Sequence, residues 1–289
     1  AKEMSGVASS IDLRSVSGGP SAGGGPELWA VGTGGVVTYR DASTGLWTPF
    51  VAAGDPMLTL GRVAYLGPGE AWAVAVPPNP SKVLRLTSTG AAVPGMQPAT
   101  GPFTGLVAHS APSPTVYVVN QMGGVYSAAI PLMGPGWLLL IPPPGAVSGS
   151  NSIAQVSRAG VVEIYGGFSN VQQQVYQQAA GWTLLGSLLG PNAIWARPGP
   201  GGVWWAGAGG KIGYSSNQMA PPATVVLQVS PVTDTLNDVA GTPDGRHIWI
   251  VGNNGRVLRC DAPLACTWVV ETEAAALIGN AYGVWANNT

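Results

Sequence analysis

The chain has 289 residues, of which 46% are hydrophobic and only 9% are charged, and its net charge is −1. An average soluble domain has about 25% charged residues, so uncharged polar side chains, glycine and proline must cover most of this surface. Such a neutral surface has no excess of positive charge to attract the phosphate groups of a nucleic acid, which argues against nucleic-acid binding.

Two further features bear on membranes and export. The densest apolar run, Trp137–Ile141, ends at three prolines and is far shorter than the about 20 apolar residues of a membrane-spanning helix. We therefore predict no membrane-spanning segment. The N-terminus, Ala1–Ser10, lacks the basic and apolar regions of a signal peptide, as a processed mature chain or a trimmed cytosolic chain would.

One pattern returns along the chain. Its first copy, ELWAVGTGGVVTYR (Glu27–Arg40), has a tryptophan in the first of two apolar stretches that a glycine pair separates. Equivalent residues, which we call anchors, recur about every 40 to 45 residues, an interval typical of a β-propeller blade. The anchors are Trp29, Trp72, Tyr117, Val161, Trp204 and Trp249. A glycine follows the anchor by six positions at Gly35, Gly123, Gly167, Gly210 and Gly255.

Each copy predicts a sheet of four strands. The anchor and the residue two positions later, such as Trp249 and Val251, point to one face of a strand. Turn residues such as Asn253–Gly255 supply the positive φ of a tight reversal, after which the chain returns as a third strand. An inner first strand is indicated at Val63, Val107, Ile194 and Val239, and an outer fourth strand at Trp47, Trp137, Trp182 and Trp268.

We expect Trp249 to lie in the core, where truncation to alanine would cost about 3 to 5 kcal/mol.

Each predicted sheet is apolar on both faces, with large residues on one face and small residues on the other. Radial stacking buries both faces, so the sequence predicts an all-β fold, a β-propeller of six four-stranded blades in one domain, 1–289. The predicted blades are 11–50, 60–95, 103–140, 152–186, 193–229 and 236–271. Residues 278–286 restart the pattern, and we expect a strand there that pairs with the first blade and closes the ring. Seven blades, with one assembled from both termini, are the alternative.

The repeat also resembles a known group of proteins. The form W-A-V-G-x-x-G-x-V, with an upstream L-x-x-V and a downstream G-x-W, resembles the repeats of secreted and lipoprotein-type bacterial β-propellers. The best copies are LNDVAGTPDGRHIWIVGNNGRVLRC (Leu236–Cys260) and Glu27–Arg40. Photosystem assembly factors, sialidase-type propellers and tectonin-like lectins are loosely similar, and they differ in function. The resemblance implies a propeller in the periplasm, at the cell surface or secreted, and it does not imply one activity.

Two cysteines, Cys260 and Cys266, are six residues apart. They are either two buried thiols or a disulfide that closes a hairpin loop over Asp261–Pro263. Zinc would need two further ligands, and neither His109 nor His247 stands at a zinc-motif spacing from the pair. We predict no metal site and no cofactor.

Few titratable side chains are available for catalysis, and we predict that the protein is not an enzyme. The repeated Asp-box of sialidases, S-x-D-x-G-x-x-W, is absent, although Asp41–Trp47 (DASTGLW) has its residue types at another spacing. We interpret His247 as a half-buried, hydrogen-bonded imidazole at a strand start, and His109 as a residue of a Ser/Pro loop. The remaining aspartates do not match a calcium loop and are interpreted as turn caps: Asp234, Asp238 and Asp244.

Binding is the remaining class of function. Blade packing explains most tryptophans but not Trp195, Trp205 and Trp285, which are the predicted binding residues if the protein is a carbohydrate-binding propeller. The segment VQQQVYQQ (Val171–Gln178) and the clustered prolines are uncharged, as solvated loops or a permanent protein-contact surface would be. We therefore predict a non-catalytic binding or scaffold subunit that docks on a protein partner or larger assembly outside the cytoplasm. A lectin-like propeller is the alternative, and a sialidase-type glycoside hydrolase is the third hypothesis.

Overall fold

The computed structural model describes residues 11–21, 25–52, 55–77, 82–92, 97–98, 101–110, 113–131, 136–140, 152–158, 161–168, 173–177, 181–186, 190–198, 201–217, 225–261, 266–271 and 279–287. This part of the chain contains 24 strands in six antiparallel sheets of four strands each. The sheets are the blades of a six-bladed β-propeller, which confirms the predicted fold. None of the described residues belongs to a helix that is long and apolar enough to cross a membrane.

The chain divides into two compact units, the first made of residues 1–120 and 124–140. This unit contains blades 1 to 3. Blade 1 consists of β1 (Leu13–Pro20), β2 (Pro26–Gly32), β3 (Val36–Arg40) and β4 (Trp47–Val51). Blade 2 consists of β5 (Leu60–Gly67), β6 (Glu70–Ala75), β7 (Val83–Thr87) and β8 (Gly90–Ala92). Blade 3 consists of β9 (Phe103–His109), β10 (Thr115–Asn120), β11 (Val125–Ala129) and β12 (Leu138–Leu139).

The second unit, residues 121–123 and 141–289, contains blades 4 to 6. Blade 4 consists of β13 (Ser152–Arg158), β14 (Val161–Gly167), β15 (Gln173–Gln177) and β16 (Gly181–Gly186). Blade 5 consists of β17 (Pro191–Ala196), β18 (Gly201–Gly207), β19 (Ile212–Asn217) and β20 (Val226–Gln228). Blade 6 consists of β21 (Leu236–Gly241), β22 (Ile248–Gly252), β23 (Val257–Cys260) and β24 (Val269–Val270). The Gln-rich segment is thus mainly a strand, β15, and not a loop.

Within each blade the strands pair in chain order. The first strands of consecutive blades contact one another, β1 with β5 and β5 with β9 in the first unit, and β13 with β17 and β17 with β21 in the second. The first strand is therefore innermost, and the fourth is an edge strand. The predicted inner residues Val63 and Val239 lie in β5 and β21, and the predicted outer residues Trp47 and Trp182 lie in β4 and β16.

The turn between the second and third strands is a repeated structural element. It is a single turn of 3-10 helix at Thr33–Gly35, Ala208–Gly210 and Asn253–Gly255. The last two residues of each turn have positive φ, which glycine adopts without steric cost. A Cβ atom on Gly210 would also overlap the backbone carbonyl of Val232. The glycine six positions after the anchor is thus required by both conformation and space.

The anchor of the fourth blade is Ile164 and not Val161. β18 ends at Gly207, three residues after its anchor Trp204, and β14 ends in the same way at Gly167. Ile164 stands three residues before that end and is 1% exposed. The predicted alignment of this copy is wrong by three residues because it places Gly167, a strand end, at the position of the turn glycine.

Large residues of one blade pack on the next blade, as the two-faced pattern predicts. In the first unit, Trp29 and Val31 of β2 share a core cluster with Ala71 and Ala73 of β6. In the second unit, Trp204 of β18 lies in one cluster with residues of β22 and β23. Blades 2 and 5 have such clusters on both faces, and the exclusion of water from these faces is the main stabilising contribution expected for stacked blades.

The C-terminal segment, residues 279–287, forms no β-ladder. The backbone N–H of Ala281 donates to the carbonyl of Gly252 at 3.0 Å, and that of Val284 donates to the carboxylate of Asp238 at 2.9 Å. The segment therefore lies against the sixth blade, where the repeat places it. The segment is therefore not the β-strand that the sequence predicts there. Its pairing with the first blade stays a prediction.

Candidate functional site

The predicted sugar-stacking tryptophans lie in different settings. Trp195 is half-buried and packs on Trp204, with ring centroids 5.3 Å apart. Trp205 lies on the opposite face of blade 5, against Tyr165, and has no exposed surface. Trp285 is half-buried in the C-terminal segment. Because stacking on a ligand requires an exposed ring face, Trp205 cannot bind a sugar in this structure.

The two cysteines form the predicted disulfide. Cys260, the last residue of β23, is bonded to Cys266, and the Cα atoms are 5.7 Å apart. Asp261 lies inside the disulfide loop, and its Oδ1 is 2.8 Å from Nδ1 of His247. His247 precedes β22 directly, so the prediction of a hydrogen-bonded imidazole at a strand start is confirmed.

The other titratable residues singled out in the sequence have separate surroundings. His109 is the last residue of β9 and not part of a loop, and its ring stacks on Tyr117 at 5.9 Å. The aspartates have different partners: Asp234 bonds Arg256 and Asn254, Asp238 bonds Val284, and Asp244 bonds Thr242 and Arg246. Among the residues that the structure describes, no three His, Cys, Asp or Glu side chains converge as metal ligands do.

A pocket of about 550 Å³ opens at one end of the sixth blade. Its wall contains residues of the turn between β21 and β22, of β22 and of β23, together with Asp261 and Asn287. The lining residues are Thr242, Asp244, Arg246, His247, Trp249, Arg259, Asp261 and Asn287. A chain with few charged residues thus places several of them around one depression.

Asp261 is the centre of the ionic network in this pocket. Its Oδ1 faces His247, and its Oδ2 accepts from Nε of Arg259 at 3.1 Å. A terminal nitrogen of Arg259 lies 2.9 Å from the carboxylate of Glu271. Because the disulfide ties the two ends of the loop together, it limits the positions that Asp261 can take.

Asp244 lies on the turn at the other side of the pocket. It accepts hydrogen bonds from the hydroxyl of Thr242 and from the backbone N–H of Arg246. These two bonds, in that order, lower the pKa of Asp244. The guanidinium of Arg246 lies 3.7 Å from the same carboxylate, and this side chain is 80% exposed. Asp244 is therefore an ionised turn cap, as the sequence predicts.

Trp249 is the pocket residue that the sequence misplaces. It is half-buried and lines the pocket, with its ring 5.7 Å from that of His247. Alternate residues of a strand point to opposite faces, and Ile248 and Ile250 fill the core cluster shared with blade 5. The prediction that Trp249 is a core residue is wrong, because its neighbours supply that core.

The polar site beside the anchor has counterparts in other blades. Two positions before the anchor, blade 2 has Glu70, which makes a bidentate ion pair with Arg85 at 2.8 and 2.9 Å. Blade 1 has Glu27, which is buried and accepts from the hydroxyl of Tyr39 at 3.2 Å. In blade 6 this position holds His247. The residue at this position is thus paired with a neighbouring side chain in blades 1 and 2, and it lines an open pocket in blade 6.

A second surface of interest lies on the outermost strands. Most of the exposed large hydrophobic residues in the described ranges belong to these strands: Val51, Leu138, Leu139, Leu184, Val226, Leu227 and Val269. In blades 5 and 6 they form, with Val229, a group that we call the outer-edge patch: Val226, Leu227, Val229 and Val269. Trp268 donates from Nε1 to the side chain of Gln228 at 2.8 Å, which links the outer parts of these two blades.

No family model and no curated protein matches the chain. Solved structures do match it. A structure of YCF48 bound to D1 peptide is 16% identical, with a TM-score of 0.67, and the match covers 94% of this chain and 84% of that one. YCF48 from Cyanidioschyzon merolae is 20% identical, with a TM-score of 0.66, and the match covers 96% of this chain and 89% of that one. At these identities the similarity establishes the β-propeller fold, and the relation to secreted and lipoprotein-type repeat proteins stays a prediction.

Proposed function

We propose that the protein is a non-catalytic scaffold subunit that binds a protein partner through the outer-edge patch. The patch itself is the observation that carries the proposal. Val229 is 90% exposed, and the other three side chains are 50 to 54% exposed. The four residues lie in one region, because Trp268, the neighbour of Val269, bonds Gln228, which stands between Leu227 and Val229. Exposed apolar residues that are grouped in this way mark contact surfaces.

The character of the patch supports a protein as the partner. Its members are aliphatic, and they stand on or beside edge strands, whose outward backbone groups are available for hydrogen bonds. Interface cores are depleted in charged residues because a buried charge must be desolvated. A chain with 9% charged residues satisfies that condition over most of its surface.

The comparison with solved structures supports the same class of function. One propeller of similar fold was solved bound to a peptide. The β-propeller fold can thus present a surface to a polypeptide. The surface used by the present chain is proposed from its own exposed residues.

The disulfide supports a location outside the cytoplasm. Disulfides form and persist in oxidising compartments, such as the periplasm, the cell surface and the extracellular space. Cys260 is 1% exposed, and both cysteines are engaged in the bond. In fractionated cells, we expect Cys260 and Cys266 to resist alkylation until a reductant is added. Alkylation of both without reduction would contradict the proposed location.

The pocket in blade 6 supports binding without catalysis. A glycoside hydrolase needs a carboxylic acid whose pKa is raised so that it can protonate the leaving group. Here the pKa of Asp244 is lowered, and Asp261 is held by Arg259 and His247. Asp244 is thus unsuited to act as a proton donor, and both carboxylates are engaged as hydrogen-bond acceptors in the pocket wall.

The proposal is tested by mild purification of the protein from its source, with cross-linking and mass spectrometry of the species that travel with it. We expect a stoichiometric protein partner. The substitutions Leu227→Lys and Val229→Lys then weaken that complex by at least about tenfold, since a charge must be buried in its interface. Met57→Lys is the matched control, because Met57 is 79% exposed and lies outside the patch. A solitary monomer, or equal loss in the control, would refute the proposal.

A further inference from the structure

The pocket of the sixth blade is rich in charged groups that cancel one another. Arg246 lies 3.7 Å from the carboxylate of Asp244, and Arg259 lies 3.1 Å from that of Asp261. Arg259 also reaches Glu271 at 2.9 Å. Opposite charges at such distances leave little net field for a free anion or cation. The pocket therefore favours a ligand that is polar and uncharged.

The same side chains retain hydrogen-bonding capacity toward the pocket. The side chains of Arg259, His247 and Asp261 are 43%, 46% and 49% exposed. A guanidinium has five N–H donors and a carboxylate about four lone-pair sites, more than the internal contacts of these residues use. Donors and acceptors fixed side by side match neighbouring hydroxyl groups, each of which both donates and accepts.

An aromatic ring stands beside these polar groups. Trp249 is a partly exposed wall of the pocket, whereas the tryptophan anchors of the other blades, Trp29, Trp72 and Trp204, are at most 1% exposed. The indole presents an apolar surface, and a pyranose ring has an apolar face of C–H groups. Contact between these surfaces removes both from water.

From this combination we propose that the pocket binds a neutral sugar, with a pyranose ring against Trp249 and its hydroxyls bonded to Asp261 and Arg259. The volume of about 550 Å³ lies within the usual range of small-molecule clefts. The proposal goes beyond protein docking and concerns a different surface. It assigns binding and no chemical step.

The first test uses the isolated protein on an immobilised glycan panel with neutral, sialylated and sulfated members. Calorimetric titration with the methyl glycoside of the best neutral member follows. We expect neutral glycans to bind, with an affinity that changes less than about twofold between 50 and 500 mM NaCl, because no net charge is neutralised. Binding of charged glycans alone, or of no glycan, would overturn the proposal.

Variants locate the site. Trp249→Ala and Asp261→Asn each reduce the affinity by at least about tenfold. Asp261→Asn keeps the shape of the side chain, so it remains informative if Trp249→Ala unfolds, which a thermal melt reports. The matched control is Arg85→Ala, the counterpart of Arg259 in blade 2, and it leaves sugar binding unchanged. Val229→Lys also leaves it unchanged, which separates this site from the outer-edge patch. Unaltered affinity in both pocket variants would place the sugar elsewhere and refute the proposal.

Discussion

At the scale of single residues, one repeated position serves different purposes in different blades. Trp29 is fully buried between blades 1 and 2, whereas Trp249 is half-buried at the edge of a pocket. We expect Trp29→Ala to lower the free energy of unfolding by about 3 to 5 kcal/mol, as a core truncation does. Trp249→Ala lowers it by less than about 2 kcal/mol, because part of its ring is already in water. Urea denaturation measures both, and equal losses would contradict the assigned burial.

Tyr39 tests the electrostatics of the first blade. Burial, with the nearby carboxylate of Glu27, raises the pKa of Tyr39 to about 12. An unfolded tyrosine ionises near pH 10, so this contribution to stability is present below about pH 10 and is lost as the pH rises toward 12. In Glu27→Gln we expect a lower pKa that stays above 10, since burial is the larger cause. Absorbance titration of tyrosinate follows both proteins, with Tyr39→Phe to identify the signal. An unchanged pKa in Glu27→Gln would refute the coupling.

At the scale of elements, the 3-10 turn that joins the second and third strands is the most demanding local feature. Gly209 and Gly210 both have positive φ, but only Gly210 approaches another backbone, at Val232. We expect Gly209→Ala to cost about 1 kcal/mol and Gly210→Ala at least about 2 kcal/mol more, since strain and overlap add. Thermal unfolding compares the two. Gly209→Asn supplies a control, because Asn254 adopts positive φ at the same place in blade 6, and we expect nearly wild-type stability.

At the scale of the whole chain, the C-terminal segment is hydrogen-bonded to the sixth blade. The side-chain amide of Asn237 donates to the carbonyl of Ala281 at 3.0 Å, and the carboxylate of Asp238 accepts from Val284. Truncation after Ile278 removes these bonds and that from Ala281 to Gly252, so we expect a loss of about 2 to 4 kcal/mol. Asp238→Asn keeps a side-chain oxygen that can accept from Val284, so we expect a smaller loss of stability. Denaturant unfolding of both variants is the measurement, and an unaltered truncated protein would show that the segment contributes no stability.

The pocket shows where inference from the repeat stops. A comparison of copies at the position two before the anchor identifies Glu27, Glu70 and His247 as polar residues at one structural place. It does not show that Glu27 is hydrogen-bonded to Tyr39 and that Glu70 is paired with Arg85, while His247 borders a cavity. That difference depends on which neighbouring side chains reach each carboxylate or imidazole.

The sequence by itself determined the propeller fold, the four strands of each blade and the turn glycines of blades 1, 5 and 6. These features repeat or act over short distances, so periodicity and local conformation specify them. The sequence favoured six blades over seven and a disulfide over two buried thiols, and the structure decided both. Tertiary structure decided the anchor of blade 4, the irregular C-terminal segment, the burial of Trp205 and the exposure of Trp249. Each depends on the packing of residues far apart in the chain, and a pattern that records spacing along the chain holds no information on which neighbour fills a given face.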